Sequence, residues 1–223
     1  MKNKGMFITF EGCDGAGKSS ILERIYKQLQ KEGIPVVRTR EPGGSLLGEK
    51  IRALLLHKNK DIAIGTRAEL LLFLAARAQH VEELILPELD KGKVVLCDRF
   101  HDSTIAYQAF ARGALQKAEV TQEVVENLCL FSSSSLQPNC TLLFDVDPKV
   151  GLQRSSNVVK KEASKGMLDR IEDESMEFHV AVRNAFLLLA KKNPERIVVI
   201  NAEESFHTVY NHALAAVQRV LAV

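Results

Sequence analysis

The feature that most constrains the fold of this chain is a short apolar run, Met6 to Phe10, that leads directly into Gly12-Cys13-Asp14-Gly15-Ala16-Gly17-Lys18-Ser19. The pattern is Gly-x-x-x-x-Gly-Lys-Ser/Thr, with a strand before it and an amphipathic helix after it, the context in which such a loop wraps a phosphate. The glycines let backbone N–H groups turn toward an anion, and Lys18 reaches the β- and γ-phosphates. The Ser19 hydroxyl is placed to ligate Mg²⁺, and the opening helix, with Ser20 in its first turn, aims its positive end at the same point. A nucleoside triphosphate is the expected ligand.

Four further apolar runs rich in β-branched residues follow: Val36 to Thr39, Val94 to Cys97, Thr141 to Phe144 and Ile197 to Ile200. Longer stretches of helical periodicity separate them, which implies an α/β architecture, a parallel sheet of five strands with helices on both faces. Helix starts are marked by Thr66-Arg67-Ala68-Glu69, which reads as a capping box, by Asp147 ahead of Pro148, and by Ser205. Ligands of such sheets bind beyond the carboxyl ends of the strands, where Gly12, Thr39 to Gly44, and Asp98-Arg99 all fall. At 223 residues the expectation is one domain, with room for an insertion. Ser155 to Met167, or to about residue 168, is polar, carries Lys160, Lys161 and Lys165, and reads as a mobile lid.

Composition removes several function classes. Thirty Lys plus Arg against 28 Asp plus Glu leave a net charge of +2 with no long block of one sign, so there is no sequence-wide basis for gripping nucleic acid or an anionic membrane. No apolar stretch approaches the roughly 20 residues that cross a bilayer. Cys13, Cys97, Cys129 and Cys140 form no C-x-x-C and have no histidines at zinc-finger spacing, which argues for reduced thiols and a cytoplasmic setting.

Asp98 ends a strand facing the phosphate loop, where an acid holds Mg²⁺ directly or through water. Arg99 beside it offers a bidentate clamp for phosphate oxygens. Thr39-Arg40-Glu41-Pro42-Gly43-Gly44 must turn tightly while presenting Arg40 and Glu41 toward the crevice, and an X-Pro bond in such a turn is a candidate for the cis form. Taken alone, Phe73 in Leu70-Leu71-Leu72-Phe73-Leu74 reads as core packing and Tyr107 as a part-buried tyrosine.

Together these residues resemble a family. The chain is similar to bacterial thymidylate kinases along nearly its whole length, through Phe10-Glu11-Gly12 and Gly17-Lys18, Thr39 to Gly44, Ala75-Ala76-Arg77, Asp98-Arg99 with Ser103, Ala106-Tyr107-Gln108, Leu168-Asp169-Arg170 and Asn201-Ala202. The resemblance implies the three-layer P-loop NTPase fold, a homodimer, and Mg²⁺-dependent transfer of the γ-phosphoryl of ATP to thymidine monophosphate (dTMP), giving thymidine diphosphate (dTDP) and ADP on the way to dTTP. It also implies roles. Gly12 to Ser20, Asn201 and Ala202 would meet ATP, and Asp14 would hydrogen-bond the acceptor's sugar 3′-hydroxyl. Arg99 and Arg52, with Arg40 and Glu41 nearby, would surround the acceptor's monophosphate, and Pro42 and Ser103 would belong to the same substrate site. Phe73 would stack on thymine, Arg77 and Thr104 would contact its polar edge, Gln108 would also face the base, and Tyr107 would lie under the sugar 2′ position. Family members without an arginine in the phosphate loop supply a catalytic one from the lid, yet Ser155 to Met167 has none. Arg154 and Arg170, which flank it, are expected to take that role alongside Lys18 and Arg99, ahead of Lys160, Lys161 or Lys165. Three other readings stay open from sequence: a deoxynucleoside kinase using Glu41 or Asp98 as base, a kinase for another monophosphate, and a nucleotide switch. For the last, the nearest approach to a guanine-reading Asn-Lys-x-Asp is Asn59-Lys60-Asp61-Ile62, which lacks the final Asp.

Overall fold

A computed structural model describes residues 5–56, 63–113, 120–161, 170–171 and 173–222, with the helical backbone alone for 158–161. Asn59-Lys60-Asp61-Ile62, Lys165, Leu168-Asp169 and the stretch expected as a lid beyond Lys161 lie outside the described residues. The five apolar runs become strands one or two residues longer than their apolar cores: β1 (Met6–Gly12), β2 (Val36–Arg40), β3 (Val94–Asp98), β4 (Cys140–Asp145) and β5 (Ile197–Asn201). All pair in parallel, in the order β2-β3-β1-β4-β5. The chain leaves β1 for the β2 edge, returns to β3 beside β1, and then crosses to the other side for β4. The strand order therefore reverses at β1, the place where open parallel sheets bind ligands. Register brings three of the motif-bearing segments level: Phe10 and Arg40 both pair with Asp98, and Gly12 pairs with Phe144.

The helices are α1 (Lys18–Lys31), α2 (Leu46–Leu56), α3 (Thr66–His80), α4 (Leu86–Asp90), α5 (His101–Thr104), α6 (Gln122–Ser132), α7 (Pro148–Lys161), α8 (Met176–Lys192) and α9 (Phe206–Leu221). Two of them continue as π-helix, α3 through Val81–Ile85 into α4 and α5 through Ile105–Ala111. Alternation along the strands splits the interior between the two faces of the sheet. Phe7, Val95 and Cys97 pack with Val81, Ile85 and Phe100 on one side. Ile8, Phe10, Leu142 and Phe144 pack with Ile21, Phe186 and Val209 on the other.

Local chemistry explains most helix starts. Ser205 Oγ accepts from Thr208 N, Ser175 Oγ from Phe178 N, and Asp147 Oδ1 from Lys149 N just before Pro148. Thr66 to Glu69 is a correction: Gly65 is the N-cap of α3, no side chain caps it, and Glu69 turns inward, nearly fully buried. A buried cluster of arginines, described below, outcompetes the local cap. The second difference is at Ser155 to Lys161, expected as lid loop, which continues α7 as helix. That helix packs backbone to backbone on the phosphate loop. A Cβ on Gly15 would stand 1.9 Å from Gly151 O and one on Gly151 2.4 Å from Asp14 O, so both positions require glycine.

Candidate active site

Beyond the carboxyl ends of β1 and β3 lies a crevice of about 680 Å³ whose walls carry Asp14, Lys18, Ser19 and Ser20 on one side and Phe73, Arg77 and Gln108 on the other. Gly17 enters α1 in the left-handed conformation (φ 84°) with no side-chain cap, leaving the first N–H groups of the helix to an anion. Lys18 is 6 % exposed, and its Nζ donates to Cys13 O at 2.8 Å, which folds the side chain back across the loop. Burial and the nearby Arg99 charge lower its pKa. Ser19 Oγ donates to Asp98 Oδ2 at 2.5 Å, which brings together the two oxygen donors expected at Mg²⁺. Cys13 itself is buried, its thiol pushed up to about 11 by desolvation, and all four cysteines are free and buried.

Arg99 joins the two halves of the crevice. Its backbone is left-handed (φ 70°), a conformation rare for non-glycine residues. Its Nη1 donates to Gly12 O (3.0 Å) and Ser103 Oγ (3.1 Å), its Nη2 meets Asp14 Oδ1, and the guanidinium lies 5.2 Å above the Tyr107 ring. Tyr107 OH donates to the other Asp14 oxygen at 3.1 Å. Burial alone would raise the Asp14 pKa, but Arg99 and Lys18 outweigh it and hold the carboxyl below its usual range. The strained turn is anchored from beneath by Glu11, a fully buried acid to which the sequence motif alone gives no role. It accepts from Phe100 N (2.7 Å), Ser103 N (3.3 Å) and Ser103 Oγ (2.5 Å), and desolvation with the Asp102 charge pushes its pKa up to about 7. A charged residue inside an otherwise buried apolar strand was the available signal.

The Glu41-Pro42 peptide is cis, as the turn sequence allowed. Arg52 Nη1 donates to Pro42 O at 2.8 Å, while Arg40 is exposed and paired with Glu49 at 3.0 Å. Glu41 is buried in a network. Arg77 Nε and Nη2 meet it at 2.8 and 2.7 Å, His80 Nδ1 lies 3.2 Å away, and Arg77 Nη2 continues to Thr104 Oγ1 at 2.9 Å. Burial raises the Glu41 pKa, but Arg77 and His80 prevail and the net shift is downward. Phe73 packs against the core and also lines the crevice. Tyr107 and Gln108 come from the π segment after α5, the kind of helix irregularity often found at functional sites.

The two arginines expected at the lid part company. Arg154, on α7, lines the crevice and its Nη1 donates to Ala202 O at 2.8 Å. Arg170 turns away, its Nε donating to Leu55 O at 3.2 Å and its Nη2 meeting Glu69 Oε2. Ala202 thus lies beside the crevice through Arg154, while Asn201 accepts from Glu203 N at 3.0 Å. Glu69 and Arg112, both nearly fully buried and joined at 3.3 Å, form a cluster with Glu174, Arg170 and Gln108 that sequence reading did not find. In sequence Glu69 reads as half of a capping box, and Arg112 has no motif.

Comparison with known proteins points to one family. The thymidylate kinase family model matches residues 10–213. A thymidylate kinase of Protochlamydia amoebophila is 51% identical over 213 residues, covering 96% of this chain and 92% of the relative. One from Chlamydia felis is 41% identical, covering 95% and 96%. The crystal structure of thymidylate kinase from Ehrlichia chaffeensis superposes with a TM-score of 0.74 at 34% identity, covering 96% of this chain and 99% of that one. A phosphate loop that shares Asp14 with a deep aromatic and arginine-lined wall, together with these matches over nearly the whole length, places the chain in the thymidylate kinase family, the ATP-dependent transferases that phosphorylate dTMP.

Proposed function

We propose that the chain carries out this reaction with ATP on the phosphate loop and dTMP in the crevice, the two meeting at Asp14. The observation that carries the reading is the triple contact of Asp14, Arg99 and Tyr107, which ties the donor loop to the acceptor wall. Lys18 and the loop amides hold the ATP phosphates, Arg99 orients the acceptor phosphate in line, and Asp14, kept ionised, accepts from the sugar 3′-hydroxyl. Arg52 and Arg40 border the phosphate end. Phe73 faces the base, Arg77, Thr104 and Gln108 its polar edge, and Tyr107 fills the space a ribose 2′-hydroxyl needs. Among the described residues no group of three or more His, Cys, Asp or Glu forms a metal cage. The Ser19–Asp98 pair would hold Mg²⁺, a cation that commonly binds through one or two protein oxygens. When bound there it neutralises charge developing on the transferring phosphoryl group.

No general base is required, because the attacking phosphate oxygen is already ionised. The residues argue against the nucleoside-kinase alternative on the same ground: Glu41 is saturated by Arg77 and His80, and Asp98 faces Ser19. Of the two arginines expected at the lid, Arg154 is the one that lines the crevice, with Arg170 tied to Leu55 O and Glu69 instead. The reading is of a single domain, in a cytoplasmic homodimer. A coupled ATP assay over a panel of monophosphates tests the pocket. Deoxyuridine monophosphate (dUMP), lacking one methyl, is expected to be roughly 10- to 200-fold poorer than dTMP in kcat/KM. Equal use of the two would sink the assignment of the base pocket.

A further inference from the structure

Outside the phosphate-handling groups, the most heavily engaged buried acid is Glu69. Its Oε1 accepts from Gln108 Nε2 (3.1 Å) and Arg112 Nε (3.3 Å), and its Oε2 from Arg112 Nη2 (3.4 Å) and Arg170 Nη2. Burial raises its pKa, but Arg112 and Arg170 outweigh this and hold it below the ordinary value. An ionised carboxylate only accepts, so the face of the Gln108 amide turned toward it must be the NH₂. The amide oxygen is then the group left for the crevice, and no donor among the described residues meets it.

We propose that Glu69 is a positioning residue for base selection: by claiming the NH₂ of Gln108 it fixes that amide with its Oε1 toward the base, as an acceptor for a ring N–H. The N3 of thymine and uracil carries a hydrogen, and the N3 of cytosine does not. Glu69 thus sets the polarity of the reader, and through it discriminates the imide bases from cytosine without touching either. The two arginines are part of the device, since they keep the carboxylate ionised and in place. The proposal rests on the reading of the crevice as a dTMP site.

The test compares kcat/KM for dTMP, dUMP and deoxycytidine monophosphate (dCMP) in the wild type, Glu69→Gln, Glu69→Asp and Gln108→Ala, each checked for native folding by circular dichroism. Glu69→Gln offers Gln108 either a donor or an acceptor, so its amide is free to invert. The dTMP-to-dCMP preference is expected to fall roughly 10- to 100-fold, mainly through KM for the nucleotide. The dTMP-to-dUMP ratio stays unchanged, because both carry N3–H. Glu69→Asp restores the preference, and in a Gln108→Ala background Glu69→Gln no longer alters it. A merely structural role lowers all three acceptors together, and that outcome, or a change that persists without Gln108, overturns the proposal. Should Glu69→Gln not fold, the wild-type complex with dTMP decides: Gln108 Oε1 within about 3.2 Å of N3 supports it, and Nε2 there refutes it. A wild type that does not use dTMP at all would defeat the underlying function instead, so the two failures are distinguishable.

Discussion

Arg99 holds a left-handed backbone, and three acceptors or partners, Gly12 O, Ser103 Oγ and Asp14, share its planar fork. Strain of this kind persists only where surroundings over-determine it, and Glu11 beneath the turn supplies that restraint. Because the fork and not the charge alone is used, Arg99→Lys is expected to lower kcat/KM for dTMP about 10²-fold, with thermal stability nearly kept, in steady-state kinetics beside a melting curve. Glu11 gives a pH prediction. Its folded-state pKa is raised to about 7 from an ordinary 4.5, so the proton binds more tightly in the native state. The stability this confers is full below the unfolded pKa and is lost as pH rises through about 7. Denaturant unfolding from roughly pH 5 to pH 8 should therefore show wild type losing about 2 kcal/mol relative to Glu11→Gln, and parallel curves would contradict it. The acid's identity was plain in the sequence, in Phe10-Glu11-Gly12. Its partners were not, since Phe100 and Ser103 lie some ninety positions on and only the pairing of β1 with β3 brings them underneath.

At the scale of elements, the strands were legible because parallel strands buried on both faces read as unbroken apolar runs, and their loops were legible because phosphate binding demands glycine, lysine and hydroxyl at fixed spacing. Helix α7 was less so. The polar face of Ser155 to Lys161 suggested a loop, yet its helical periodicity continues from a stem clamped to the phosphate loop by the Gly15–Gly151 contact. That clamp carries Arg154 to the crevice, whereas Arg170 is held by Glu69 and Leu55 O on the far side of the acceptor wall. The two arginines should therefore differ in kinetics. Arg154→Ala is expected to lower kcat by roughly 10³-fold with KM for dTMP little changed, as for loss of an arginine acting on the transferring phosphoryl. Arg170→Ala should act mainly on KM for dTMP, through Gln108. The reverse pattern in initial-rate measurements would reassign the phosphate-side cation.

For the whole molecule, Leu47 and Leu54 on α2, Leu71 on α3, and Val124 and Phe131 on α6 remain exposed on helices that pack side by side. Exposed apolar side chains on neighbouring helices are the kind of surface that the homodimer implied by the family resemblance would cover. Analytical ultracentrifugation is expected to give twice the chain mass, and Leu54→Glu with Leu71→Glu to give the monomer; a wild-type monomer would remove this part of the account. Sequence could not locate that face, because an exposed leucine and a core leucine have the same periodicity until helix partners are known. Nor does any helix among the described residues run long and apolar enough to cross a membrane. In the proposed reaction donor and acceptor meet at Asp14 with no base between them, so the acceptor must bring its own ionised oxygen. Initial rates with ATP on dTMP against thymidine test this most directly: turnover of dTMP with negligible phosphorylation of thymidine is the predicted result, and a preference for thymidine would contradict it.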